Sequence, residues 1–174
     1  VSGYAGTKES GMRDLLLEEG WKHRRQTIEN LADLMDSGGK LYGPAAGRAA
    51  TAVLGMPRFM TPADERRLRK EGAFVIFDNP EAVAICVWDE PQALCVKKQQ
   101  LDGNLAPNLP GCVDKCPNCA RTDEHLDLLE DEAASLRANA AISPQPIAQS
   151  MLARADRNEQ IVLEGRPIPE HRDD

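Results

Sequence analysis

The chain has 174 residues, of which 41% are hydrophobic, 28% charged and 4% aromatic, and its formal net charge is −7. That length suits one ordinary domain, or one domain with an attached helical segment, with a core of Leu, Ala, Val and Ile rather than of rings. The acidic balance argues against a general nucleic-acid-coating surface, which needs clustered Lys and Arg, and no apolar run approaches a membrane span.

The chain opens on Val rather than Met, which leads us to expect a fragment or a processed product. Residues 1–11, VSGYAGTKESG, read as an irregular lead-in without the apolar core of a secretory signal, so a cytoplasmic chain with reduced thiols is expected. From Met12 to Met35, the apolar residues Leu17, Trp21, Ile28, Leu31 and Met35 recur at helical spacing and predict one long helix. Gly20 lies inside it and marks a place for a kink or break. The run Lys22-His23-Arg24-Arg25 on the opposite side reads as a solvated face.

Gly38 and Gly39 stop this helix. Residues 43–55 predict a short helix opened by Pro44 and closed by Gly55. Residues 61–72 predict another, with Thr61 as N-cap, Pro62 at the first position, Asp64 in the first turn and Gly72 as terminator. Arg66, Arg67 and Arg69 give it a basic surface and are the best local candidates for contact with DNA. AFVIF (73–77) and AVAICVW (82–88) are rich in β-branched and aromatic residues around DNPEA, and predict a hairpin. Cys86 within it reads as a small buried hydrophobe.

Cys95 to His125 is the most informative stretch. It holds Cys95, then sixteen residues, Cys112, three, Cys116, two, Cys119, five, and His125. Short Cys-to-Cys spacings let one turn present two ligands of a tetrahedral zinc site, and clustered cysteines in a reducing compartment point to metal rather than to disulfides. The expected ligands of a structural Zn²⁺ are Cys95, Cys112, Cys116 and His125, with Cys119 as the alternative fourth. Residues 122–141 then predict a helix with Thr122 as N-cap, Asp123 and Glu124 in its first turn, and a stripe of Leu126, Leu129, Ala133, Leu136 and Ala140. Pro144 and Pro146 break it and start another, and the tail beyond, with His171, is polar.

The expected fold is therefore mainly α with one short β-hairpin, a small zinc-stabilised helical domain. Its segments are 1–11, 12–72, 73–141 and 142–174.

DNPEAVAICVWDEPQALC followed by CVDKCPNCARTDEH resembles the C-terminal region of actinobacterial site-specific integrases of the tyrosine recombinase class. The matching positions are Asp78, Asn79, Pro80, Ala93, Leu94, Cys95, Cys112, Cys116, Asn118, Arg121, Thr122, Asp123 and His125. Cys119 stands outside that pattern. GYAG at 3–6 resembles the segment carrying the nucleophilic tyrosine, and the resemblance implies that Tyr4 would attack a DNA phosphodiester. The arginines and histidine that such chemistry needs do not precede Tyr4 here, so a piece of such an enzyme is expected, not a complete one.

The resemblance implies a zinc-stabilised interaction domain of a mobile-element integrase, contacting other protein chains, itself, or DNA through the parent integrase. The alternative is a free-standing zinc-binding regulatory or adaptor protein. A zinc hydrolase with Glu124 as base is disfavoured, because a sulfur-rich ligand set suits a closed structural site.

Overall fold

A computed structural model describes residues 6–57, 60–71, 75–95 and 107–166; of residues 6–10 and 69–71 only the backbone is described. The first element, α1, runs Gly6–Asp36. It begins before Met12 and passes unbroken through Gly20, whose carbonyl accepts a hydrogen bond from Arg24 Nε at 3.1 Å. Ile28 and Leu31 of the expected stripe are buried, and Trp21 and Met35 pack beside them. Leu17 does not join them and stays exposed with Met12, Leu15 and Leu16.

The basic run on α1 is taken up locally. Lys22 bonds Glu19 and Arg25 bonds Glu29, each at 2.8 Å. The Arg24 guanidinium lies 4.7 Å from the Trp21 ring centre and 5.1 Å from that of Phe77, a cation–π contact that ties α1 to the sheet.

Gly38, in the left-handed region at φ +86°, turns the chain out of α1. Strand β1 (Leu41–Tyr42), helix α2 (Ala46–Leu54) and helix α3 (Pro62–Glu71) follow. Thr61 and Asp64 cap α3 reciprocally: Asp64 N–H donates to Thr61 Oγ1, while Thr61 N–H and hydroxyl donate to Asp64 Oδ2. Strands β2 (Ile76–Asn79) and β3 (Ala84–Val87) form the expected hairpin. Its connection is a single 3₁₀ turn at Pro80–Ala82 closed by Val83 at φ 45°, so Val83 belongs to the turn and not to the strand.

The expectation of a single hairpin is corrected. Among the described residues four strands form one antiparallel sheet, ordered β1-β4-β3-β2, with β4 formed by Cys119–Thr122. Cys119-Ala120-Arg121-Thr122 has no alternation long enough to read as a strand. It becomes one because both flanks offer partners: Ile85 opposes Ala120 and Cys86 opposes Cys119 on one side, and Leu41 opposes Thr122 on the other.

Ile76, Ile85, Val87 and Ala120 meet Ile28 and Leu31 of α1, Ala49 and Val53 of α2, and Leu68 of α3 in one core. Full burial of each large aliphatic side chain contributes about 2 kcal/mol. Helices α4 (Asp123–Ala140) and α5 (Gln145–Gly165) pack against each other after the sheet. Leu126, Leu129 and Ala133 are buried on α4, and Ala148 and Ala155 on α5. Arg137 spans the two, its Nε and Nη2 donating to the two carboxylate oxygens of Glu159 at 2.7 and 2.6 Å. Among the described residues no helix is long and apolar enough to cross a membrane.

Candidate functional site

The cysteine stretch is a stack of tight turns. Cys112 N–H donates to the Leu109 carbonyl, Cys116 N–H to that of Val113, and Cys119 N–H to that of Cys116. These turns bring the Cys112 and Cys119 sulfurs to 3.7 Å from each other. Cys95 and Cys116 are buried nearby, and all five cysteines are free thiols. Side chains alternate along a strand, so Ala120 points to the α1 core and Cys119 to the other face, where its cross-strand partner Cys86 also lies.

These sulfurs sense one another. The Cys86 thiol is pushed up to about 12, first by burial and then by Cys112, Cys116 and Cys95. Cys112 is held below the ordinary thiol range, chiefly by its hydrogen bond with Cys119 and, against the effect of burial, by the Arg121 charge and the Asn79 side chain. Cys119 is pushed up by the same hydrogen bond and by burial. The two shifts run in opposite senses because one hydrogen bond joins the two sulfurs.

His125 is not brought to this group. It caps α4: its Nδ1 accepts from Thr122 N–H at 3.1 Å, while its own N–H donates to Thr122 Oγ1 at 3.3 Å. Its ring lines a cleft with Thr27, Leu31 and Leu34 of α1 and with Glu124. That is the core side of β4, and Cys119 faces the other way. Burial lowers the His125 pKa, so the ring stays neutral as the cap requires. Glu124 shares that cleft, away from the sulfurs.

Among the described residues no three His, Cys, Asp or Glu side chains converge closely enough to hold a metal ion. Comparison with protein families, with curated proteins and with solved structures finds no match to this chain.

The geometry of the sulfur pair fits a metal all the same. Two Zn–S bonds of about 2.3 Å at a tetrahedral angle place their sulfurs about 3.8 Å apart, and Cys112 and Cys119 stand at 3.7 Å. Of the two alternatives for the fourth ligand, only Cys119 lies beside another expected ligand in this way.

Three polar side chains hold the turns: the buried Asn79 and Asn118, and the part-exposed Arg48, which alone of the three was not singled out in the sequence. Arg48 on α2 donates from Nη2 to the Pro117 carbonyl at 2.7 Å and to Asn118 Oδ1 at 2.9 Å, and its Nη1 faces Asp89 at 3.5 Å. Asn118, 1% exposed, passes its amide to the Asp89 carbonyl at 2.8 Å. Asn79 Nδ2 bonds the Leu109 carbonyl at 3.1 Å, just ahead of Cys112. Arg48 is the only charged residue of α2, and that isolated charge among small apolar neighbours was the available clue.

The remaining candidates are dispersed. Arg66 and Arg67 are exposed on α3; Arg66 Nε bonds the Pro62 carbonyl at 3.0 Å and Arg67 faces Asp64 at 3.7 Å. The side chain of Arg69 lies outside the described residues, as do Tyr4 and His171.

Proposed function

We propose that this chain is a zinc-stabilised interaction domain of a mobile-element site-specific integrase, working in the cytoplasm on contacts between protein chains while strand chemistry is done elsewhere. The observation that carries the metal reading is the sulfur pair of Cys112 and Cys119 at 3.7 Å, on a sheet face with other buried cysteines. Cys95, Cys112, Cys116 and Cys119 would hold the ion, and Cys86, whose thiol is pushed up first by burial, would remain a core thiol. Bound there, Zn²⁺ supplies no reaction; it ties the turn of 112–119 to the end of the hairpin, which a small sheet needs.

The integrase reading rests on the DNP, ALC and ARTD positions and on the cysteine segment with Asn118, and several of these residues are buried polar ones here: Asn79, Asn118, Arg121 and Thr122. A role in protein contact is favoured over a role on DNA by the net charge of −7 and by the exposed Met12, Leu15, Leu16 and Leu17 on one helix. The Arg66 and Arg67 face is the place for DNA if the parent integrase brings it there.

Elemental analysis of the purified chain and of single Ala variants tests the metal. One zinc per chain, kept in His125→Ala and Cys86→Ala but lost in Cys112→Ala and Cys119→Ala, supports the reading; a metal-free wild type ends it. The reading frame upstream of Val1 separates the integrase from a free-standing zinc-binding adaptor. A continuous frame encoding the Arg and His residues of a recombinase supports the first, and a stop codon there favours the second.

A further inference from the structure

Among the described residues Cys112 and Cys119 are the one pair of sulfurs in hydrogen-bonding contact, at 3.7 Å. The two differ in access. Cys112 follows the 3₁₀ turn Leu109–Gly111, is part-exposed, and borders a cleft of about 310 Å³ with Asp114, Glu132, Arg154 and Asn158. Cys119 is 1% exposed and sits in β4, between β1 and β3. A solute entering the cleft therefore meets one sulfur, and the second waits directly behind it. Cys86, Cys95 and Cys116 are all buried.

A disulfide holds its sulfurs at about 2.05 Å, so this pair at 3.7 Å has about 1.7 Å to close. Cys112 is the side free to move, because it lies in a turn at the rim of a cleft, whereas sheet pairing on both edges holds Cys119. An accessible thiol with a second thiol poised beside it is the arrangement that converts oxidation into a disulfide instead of an irreversible acid.

We propose that Cys112 and Cys119 are an oxidant-sensitive pair: Cys112 meets a small hydroperoxide and Cys119 resolves the product into a disulfide. In the first step the Cys112 thiolate attacks one peroxide oxygen. The S–O bond forms as the O–O bond breaks, and the departing oxygen takes a proton to leave as water or an alcohol. In the second step the Cys119 sulfur attacks the Cys112 sulfenic acid. The S–S bond forms, the S–O bond breaks, and the hydroxide leaves with the Cys119 proton as water. The two sulfurs give up two electrons, and the hydroperoxide takes both.

The pairing does not depend on the metal. A consequence does, and it rests on the zinc reading above: a Cys112–Cys119 disulfide removes two of the four proposed ligands, so oxidation would release Zn²⁺ and untie the turn from the hairpin.

Dilute hydrogen peroxide on the full, reduced chain as purified tests the pair, read by thiol titration in denaturant and by peptide mass spectrometry. Cleavage after Lys115 puts Cys112 and Cys119 on separate peptides. Titratable thiols should fall from five to three, with Cys112 joined to Cys119. Cys112→Ser should slow thiol loss by about tenfold or more, because the remaining thiols are buried. In Cys119→Ser, dimedone, which traps sulfenic acids, should label Cys112. Five surviving thiols, a disulfide to any other cysteine, or sulfinic acid at Cys112 beside an intact Cys119 thiol would overturn the proposal. If a variant does not fold, the wild-type peptide map decides alone. A colorimetric zinc chelator in the same samples separates the two readings. One zinc released per disulfide supports both, while the Cys112–Cys119 disulfide in a chain that never held zinc supports the pair and ends the metal reading.

Discussion

Arg48 and Asn118, seventy residues apart in the chain, meet through a hydrogen bond of 2.9 Å that fixes the cysteine turn against α2. The same guanidinium nitrogen holds the Pro117 carbonyl at 2.7 Å, and Asn118 in turn reaches the Asp89 carbonyl at 2.8 Å after β3. The turn, the end of the hairpin and a helix from the first third of the chain are therefore one hydrogen-bonded unit.

Removing that guanidinium leaves a buried amide oxygen and a carbonyl without their donor. Arg48→Met, which keeps most of the stem, should cost about 2 kcal/mol. Urea unfolding measures the loss, and the thiols of Cys112 and Cys119 should react faster with a colorimetric disulfide reagent. Unchanged midpoint and unchanged thiol rates would show that the contact holds nothing.

The hydrogen bond of the sulfur pair makes the two thiols unequal. In reduced, metal-free protein, limiting iodoacetamide near neutral pH should alkylate Cys112 first, since the thiolate is the nucleophile and Cys112 is the more exposed of the two. Cys119→Ala removes the hydrogen bond and should slow that reaction. Peptide mass spectrometry reads the order; labelling of Cys86 or Cys116 ahead of Cys112 would contradict the pairing.

His125 makes stability depend on pH with a definite sign. Its pKa in the fold lies below the ordinary 6.5, so between those two values the unfolded chain binds more protons. Its contribution is whole above the ordinary value and is lost as pH falls toward the folded one. Lowering the pH from about 7.5 to about 5.5 should reduce the urea midpoint of wild type more than that of His125→Gln, whose amide can still close the cap. Equal drops in both proteins would remove His125 as the cause.

Gly165 ends α5 where a Cβ would stand 2.8 Å from Leu126 Cδ1, and Leu126 is wholly buried. Leu126→Ala should cost about 3 kcal/mol. Gly165→Ala alone should cost about 1 kcal/mol by overpacking, and the two should couple so that the second change is tolerated in the presence of the first. A double-mutant cycle by urea unfolding that came out additive would mean the two side chains do not press on each other.

Several features of this protein were legible in its residues alone. Thr61 and Thr122 announced their helices because an N-cap and its partner lie within one turn, and both caps form. Ile28 and Leu31 were readable as core, and β2 with β3 as a hairpin, because helical and strand periodicities are properties of neighbours in sequence. The clustering of Cys112, Cys116 and Cys119 was likewise a local fact.

What depended on distant partners was not legible. Residues 119–122 are a strand only because β1 and β3 flank them, and that pairing decides which way each side chain points. It turns Cys119 toward Cys112, buries Arg121 on the same face, and leaves His125 on the core side as a helix cap. Sequence spacing put His125 within reach of the sulfurs, but its ring closes the α4 cap with Thr122 instead. The burial of Ile28 against exposure of Leu17 on one continuous helix has the same origin. A stripe on a helix says which side is apolar, and only the packing of the other elements says how far along that side the core extends.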